Sequence, residues 1–563
     1  MPCNNTIVTL RSAGDTSTAN SPSADKRSQS PAERCLGISE LLLLVARYSV
    51  ATDLSPSLSR STLASLARTC RAALDPALDV LWETMYTLVP LFKTLPPDTW
   101  YDIPVKDGPY SRFQLVGFPD VDARRLAQLE SSQMHLTRFL DKMTTVDVDI
   151  KRFAHYSARI KNLHWTTLDD IAIPTLLHVI GKWSSPGGSL PNLRSLKWTL
   201  YNHEVNCLVL KLPGPAIRSI ELSHIDSKMS SRALTGTNVF LDHMQLDQLV
   251  LNGSSRNPTA EDTIIQLVRA TSVLQKVSFA NISMTVTAIC ALAVLPSLTW
   301  ARFCVRSEDL RTAVIPRGFS HLQHLYITPD TLGIGTLNLL KSLQSPLQRL
   351  VLEPVSCPFA SAFHEHLKFL ALSPFMYTLL ELWFEVRCKG LNHEHPVVDN
   401  VKPSLAFFKI TSVELAPLLN MGQLTRLSIR SPHLAVDAPF LARLAVALPV
   451  IERLHVGHGN SFSSETRPPV NPRADRSTFI PLSSLLPFAE HCLHLREVGF
   501  DINADEQAVD SAAMPRDAWL SRSKGTYYRC DNRPAVLAAL VPPTSGVESH
   551  LERVAADSIV ASR

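Results

Sequence analysis

The chain has 563 residues, 45% of them hydrophobic and 19% charged, and its formal net charge is +4. That length exceeds one compact core and suits a small domain followed by a stacked array. The near balance of charge gives no reason to invoke nucleic acid or an anionic membrane. The longest apolar run, Ala288 to Leu295, stops at Pro296, well short of the roughly 18 residues that span a bilayer.

Residues 1–34 are polar, poor in large apolar side chains, and lack the apolar core of a signal peptide. They are expected to be disordered. Ser21 and Ser30 precede prolines and are candidate phosphorylation positions. The ten cysteines stand singly, without C-x-x-C pairs, as in reduced cytoplasmic or nuclear proteins. On that reading the sequons at Asn4, Asn252 and Asn281 carry no weight.

Residues 35–90 read as a separate helical unit. Ile38, Leu41, Leu42 and Val45 follow the spacing of one helix face, as do Leu63, Leu66, Ala67 and Cys70. Within that second face Cys70 reads as a packed small hydrophobe rather than a nucleophile. A third stretch carries Ala77, Leu78, Leu81, Trp82 and Met85. Asp75 as cap and Pro76 as first helical residue mark its start. The link between the first two helices is expected over Tyr48 to Ser61. Three short helices make a small core, so the unit needs a partner or the following chain.

This stretch resembles the F-box. The resemblance rests on Ile38-Ser39-Glu40-Leu41-Leu42, then Leu63 and Leu66, then Thr69-Cys70-Arg71, and finally Leu81-Trp82-Glu83. Gly37-Ile38-Ser39 replaces the usual proline-containing start. The segment from Leu88 to Trp100 is similar to the one that follows the F-box in a large group of fungal F-box proteins with degenerate leucine-rich repeats. The resemblance implies docking onto the Skp-type linker protein of a cullin–RING ubiquitin ligase. It implies that the docking residues come from Ile38, Leu41, Leu42, Leu66, Cys70, Leu81 and Trp82, some of which must instead form the unit's own core.

Residues 91–155 are expected to form a helical linker and cap, with helices suggested by Leu126, Leu129 and Met134 and by Leu136, Phe139, Leu140 and Met143. From 156 to 503 a beat of the form L-x-x-L-x-Φ, with Φ large and apolar, returns about a dozen times. Examples are Ile160-Leu163-Trp165, Leu298-Ala301-Phe303, Leu322-Leu325-Ile327 and Leu495-Val498-Phe500. Most successive starts fall within the roughly 20–29 residues of leucine-rich repeats. The gaps from 347 to 379, 379 to 424 and 451 to 495 are longer, and Leu405-Phe408-Ile410 is a candidate degenerate unit inside the second. One unit buries three apolar side chains, worth about 1.5–3 kcal/mol each. Ordering its roughly 25 residues costs about 1–2 kcal/mol apiece, so only a stack folds. The asparagine that usually follows the strand is mostly missing, although Asn252 and Asn281 come close. The fold class is therefore α/β: a three-helix F-box-like unit, then an irregular leucine-rich-repeat solenoid with parallel strands on the concave side and helices outside. Residues 504–563 are expected to be an irregular or partly disordered tail.

No nucleotide-binding, zincin or hydrolase motif is present, and no catalytic residue can be named. His364-Glu365-His366 and His393-Glu394-His395 lack the spacing of a metal site, so no metal and no cofactor is assigned. In a strand the fourth and sixth residues of the beat share one face and the third and fifth share the other. Trp165 and Trp198 fall inward. Outward positions of adjacent units gather Trp300, Arg302, His324, Tyr326 and Arg349, with Trp383 further on. Trp, Tyr and Arg are enriched among binding hot spots, which makes these residues the candidate surface for a target protein. The function implied is a non-enzymatic substrate-recognition adaptor of a ubiquitin ligase; the alternative is an interaction scaffold of the same fold that joins no ligase.

Overall fold

A computed structural model of the protein describes residues 38–51, 56–104, 111–115, 151–166, 171, 189–199, 212–225, 245–253, 265, 268–269, 271–386, 405–457, 480–500 and 502–503. The expectations for the two tails, for the helices near Leu126 to Met143 and for His393-Glu394-His395 lie outside these residues. The chain divides into two compact units after Glu83.

The first unit holds α1 (Ser39–Ala51), α2 (Pro56–Thr69) and α3 (Arg71–Glu83). Their packed interior is small and rich in alanine: Leu42, Ala46, Leu63, Ala67, Ala73, Ala77 and Trp82. Arg47 on α1 lies 3.7 Å from Glu83 on α3. The link between α1 and α2 is shorter than the expected Tyr48 to Ser61. The first helix runs on to Ala51, and Pro56 opens the second, where its missing N–H costs nothing. Pro76 is not the start of α3 but lies inside it, because the helix begins at Arg71. There it removes a bond to the Ala72 carbonyl, an effect of about 3 kcal/mol. Burial of Ala73, Pro76, Ala77 and Trp82 along one face offsets that loss.

The second unit begins at once with β1 (Thr84–Met85), then α4 (Val89–Phe92), an antiparallel hairpin of β2 (Trp100–Pro104) and β3 (Ser111–Leu115), and α5 (Lys151–Ser157). Phe92 stacks on Phe113 and Phe153 at centroid distances of 5.5 and 6.0 Å, and Trp100 lies 5.5 Å from Phe113. This aromatic cluster and hairpin precede the repeats in a stretch read from sequence as helical. Lys93 ties the hairpin down, 2.9 Å from Asp102 and 5.0 Å above the Trp100 ring.

The repeats supply β4 (Asn162–Trp165), β5 (Ser195–Trp198), β6 (Ser219–Ile225), β7 (Gln248–Gly253), β8 (Lys276–Met284), β9 (Trp300–Val305), β10 (His324–Pro329), β11 (Arg349–Leu352) and β12 (Glu381–Glu385). After these come β13 (Ile410–Thr411), β14 (Arg426–Arg430), β15 (Leu434–Ala435), β16 (Arg453–Gly457), β17 (Ile480–Pro481), β18 (Glu497–Phe500) and β19 (Ile502–Asn503). Thirteen of the strands form one sheet in the order β1-β4-β5-β6-β7-β8-β9-β10-β11-β12-β14-β16-β18, and every pairing is parallel. Each L-x-x-L-x-Φ segment read from the sequence is one of these strands. The candidate unit Leu405-Phe408-Ile410 is not: β13 pairs with β15 in a separate two-stranded ladder, and β12 pairs directly with β14. Its spacing matched the beat, but the chain there turns as a 3-10 helix over Leu405–Phe408.

The register explains the beat. Leu325 aligns with Ala301 and Leu350, and Ile327 with Phe303 and Leu352, so each inward position stacks on its equivalent in the next repeat. The first residue of the beat is fully buried from Ile160 to Ile451. The residue after it carries a backbone ladder: Thr299 O accepts from the amides of Gln323 and His324, and Gln323 O from those of Gln348 and Arg349. At the last strand Leu495, Val498 and Phe500 are only half-buried. Behind the sheet lie α6 (Val286–Ala293), α7 (Ile334–Ser342), α8 (Ala360–Leu372), α9 (Ser412–Leu415), α10 (Ala438–Ala447) and α11 (Leu486–His491). The long apolar run of the sequence is α6 and its exit. Asp437 caps α10 by accepting from Phe440 N at 2.8 Å, and Thr411 with Glu414 forms a capping box on α9.

Two local features set the stacking. Asp330 occupies the place of the missing repeat asparagine, directly after β10 ends at Pro329. Its Oδ1 accepts from Ser307 N and Thr331 N, both at 2.8 Å, while its carbonyl accepts from Ser356 Oγ at 2.6 Å. It thus links three successive repeats. Gly335 opens α7 so close to the preceding repeat that a Cβ would lie 2.0 Å from Ser307 O.

Candidate docking surfaces

The seven F-box-type candidates separate by burial. Leu42 and Trp82 are core, at 5% and 9% exposure. Leu66 and Leu81 are half-buried. Ile38, Leu41 and Cys70 are exposed. Cys70 therefore is not a packed side chain: it lies between α2 and α3, where the helical periodicity that placed it inward has ended. On α1 the exposed set extends to Leu44, Val45 and Tyr48. With Ile38 and Leu41 these form a stripe at i, i+3, i+6, i+7 and i+10 on one side, while Leu42 and Ala46 face the core. Leu44, Val45 and Tyr48 were not among the sequence candidates for docking, although Val45 was read as part of the helix face. The available signal was the run Leu41-Leu42-Leu43-Leu44, apolar over more of the helix surface than one core face needs.

The second surface is the outward face of the sheet between β8 and β16. One registered row runs Lys276, Trp300, His324, Arg349, Glu381, Arg426 and Arg453. The next row runs Ser278, Arg302, Tyr326, Val351, Trp383, Ser428 and His455. All six sequence candidates, Trp300, Arg302, His324, Tyr326, Arg349 and Trp383, lie in these two rows on neighbouring strands, and all are half-buried.

Their side chains interlock. Lys276 Nζ sits 5.0 Å from the Trp300 ring centroid, and Trp300 lies 5.0 Å from Tyr326. The Arg349 guanidinium lies between two rings, 5.1 Å from Tyr326 and 5.5 Å from Trp383. Val351, on the same strand between those rings, is 4% exposed although it faces outward. Glu381 serves two guanidinium groups: its Oε1 accepts from Arg426 Nη1 at 2.9 Å, and its Oε2 lies 3.1 Å from Arg349 Nε without hydrogen-bond alignment. Arg302 reaches Glu353 at 3.5 Å. Trp383 Nε1 is buried with no acceptor among the described residues.

Electrostatics follow from this packing. Burial, then the neighbouring Arg349, hold His324 below the ordinary imidazole range, and burial raises the Tyr326 hydroxyl. His455 is likewise lowered by burial, against the upward pull of Glu497. Its hydrogen bonds agree: Nδ1 accepts from Arg430 Nη2 at 3.0 Å, so Nε2 carries the proton and donates to Glu497 at 3.1 Å. The charged groups of the face are thus arginine, lysine and glutamate.

His364 and His366 do not converge. His366 is buried on α8 with Nδ1 donating to Ala362 O at 2.7 Å, and His364 Nδ1 lies 3.3 Å from Glu414 O. Among the described residues no group of three His, Cys, Asp or Glu side chains could hold a metal ion, and no helix is long and apolar enough to cross a membrane.

No protein-family model matches this chain, and no curated protein matches it. Among solved structures it is similar to an internalin of Listeria monocytogenes, at 13% identity over 65% of this chain and 88% of that one, with a TM-score of 0.31. It is also similar to TLR13 in its complex with a single-stranded RNA, at 14% identity over 54% of this chain and 41% of that one, with a TM-score of 0.25. Its own strand register and buried beat define the class: a leucine-rich-repeat solenoid, preceded by a separate three-helix unit.

Proposed function

We propose that the protein is a two-part, non-catalytic adaptor of the cytoplasm or nucleus. The helical unit docks onto the Skp-type linker of a cullin–RING ubiquitin ligase, and the outward sheet face captures a target protein. Its work is to raise the effective concentration of the target near a ubiquitin-loaded partner. The ligase role comes from the F-box resemblance. The observation that supports it is the apolar stripe of α1, where Ile38, Leu41, Leu44, Val45 and Tyr48 are all more than two-fifths exposed. Contiguous exposed apolar surface of this kind marks interaction sites.

The test is a binding assay of the full chain against purified linker protein. Leu41→Asp combined with Leu44→Asp is expected to abolish binding while leaving the circular dichroism spectrum unchanged, since neither side chain is in the core. Trp82→Ala is unsuitable, because it empties the interior of the unit. Failure of the unaltered chain to bind the linker would remove the ligase role and leave the plain scaffold.

A further inference from the structure

We infer that the target segment held by the sheet face is an acidic, extended peptide. This rests on the adaptor reading only in taking that face as the capture surface. The two outward rows between β8 and β16 hold five permanent cations, Lys276, Arg302, Arg349, Arg426 and Arg453. Among the described residues, the carboxylates that reach them are Glu381 within the rows and Glu353 and Glu497 at their margins. Among the described residues Lys276 has no carboxylate within ion-pair distance and lies over the Trp300 ring, and Arg349 and Arg426 divide one carboxylate between them. The face therefore carries an unmatched positive charge at two places, one at β8 and one at β11–β14. On β5 and β6, by contrast, Lys197 and Glu221 match one to one at 2.9 Å.

The aromatic groups point to a peptide rather than a nucleic acid strand. Single-stranded nucleic acids bind by stacking bases on open ring faces. Here Tyr326 and Trp383 are covered by the Arg349 guanidinium, and Trp300 by Lys276 and Tyr326. The rings act as rigid supports that hold cations in place, which lowers the cost of ordering those side chains when they receive an anion. The distance also fits. Seven strands lie between β8 and β16 inclusive, a width of roughly 29 Å at about 4.8 Å per strand spacing. An extended peptide of about nine residues covers that width.

The experiment measures fluorescence polarisation of the full chain with a labelled peptide of about nine residues carrying glutamate at alternate positions. A lysine counterpart and an oligothymidylate of similar length are the comparators. The acidic peptide is expected to bind tightest, with affinity falling as salt rises. Lys276→Gln and Arg426→Gln are each expected to weaken it by about tenfold, as loss of a charged hydrogen-bond partner predicts. Lys197→Gln is expected to change nothing. Among the described residues Lys276 has no ion-pair partner, so its replacement strands no carboxylate there and is expected to leave folding intact. Equal binding of acidic and basic peptides, preference for the oligothymidylate, or unchanged affinity in both variants would overturn the inference. Linker binding through α1 is read separately, so loss of the ligase role and loss of the acidic preference are told apart.

Discussion

Asp330 shows how much one residue can do in an irregular repeat. Its carboxylate satisfies two amides and its carbonyl a hydroxyl from the next repeat. Asp330→Ala leaves the Ser307 amide without its partner and is expected to lower unfolding stability by about 1–3 kcal/mol in urea titration. Asp330→Asn retains an acceptor and is expected to stay close to the original. Histidines give a second prediction at this scale. His324, His366 and His455 are all held below the ordinary imidazole value of 6.5, first of all by burial. Below that value the unfolded chain takes up protons that the folded chain refuses, so stability rises with pH there. Melting temperature is expected to fall as pH is lowered through 6.5 toward the folded values, and to be flat with respect to these groups above it. Of the three, His366 is the most deeply enclosed, with Nε2 buried and without a partner among the described residues, so His366→Leu is expected to reduce the slope most.

Strands behave as members of a stack rather than alone. Leu325 is fully buried between Ala301 and Leu350, and Leu325→Ala is expected to cost about 2–5 kcal/mol. Val498 occupies the same position of the beat on β18 but is only half-buried, so Val498→Ala is expected to cost clearly less in the same denaturation assay. Equal costs would mean that position along the stack does not matter. The β8 strand shows the limit of the regular pattern. It shifts register between Phe279 and Ser283, with Asn281 at a φ of 60°, a conformation that asparagine tolerates better than most side chains. A Cβ at Gly253 on the neighbouring strand would lie 2.7 Å from Ile282, so the irregularity is accommodated by the absence of a side chain there.

At the scale of the molecule, the two compact units carry separate surfaces, one apolar and helical, the other cationic and built on strands. If they act independently, Leu41→Asp with Leu44→Asp and Lys276→Gln with Arg426→Gln should show additive effects on linker and acidic-peptide binding. The coupling in a double-mutant cycle is expected to stay within about 0.5 kcal/mol. A larger coupling would mean that occupancy of one surface alters the other.

The sequence alone determined the repeat class, the strand segments and which side chains face inward, because a period of two and a recurring leucine are local properties that burial must obey. It also placed six candidate residues on one face. It did not separate core from surface on α1, where apolar side chains fall on more than one side, and it put Pro76 at a helix start that lies five residues earlier. Nor did it show Asp330 joining repeats, Arg349 between two rings, or two guanidinium groups sharing Glu381. Those features pair residues as distant as Glu381 and Arg426, which are 45 positions apart in the chain. Only the lateral register of successive strands brings them together, and that register is set by packing across the whole stack rather than by any one segment.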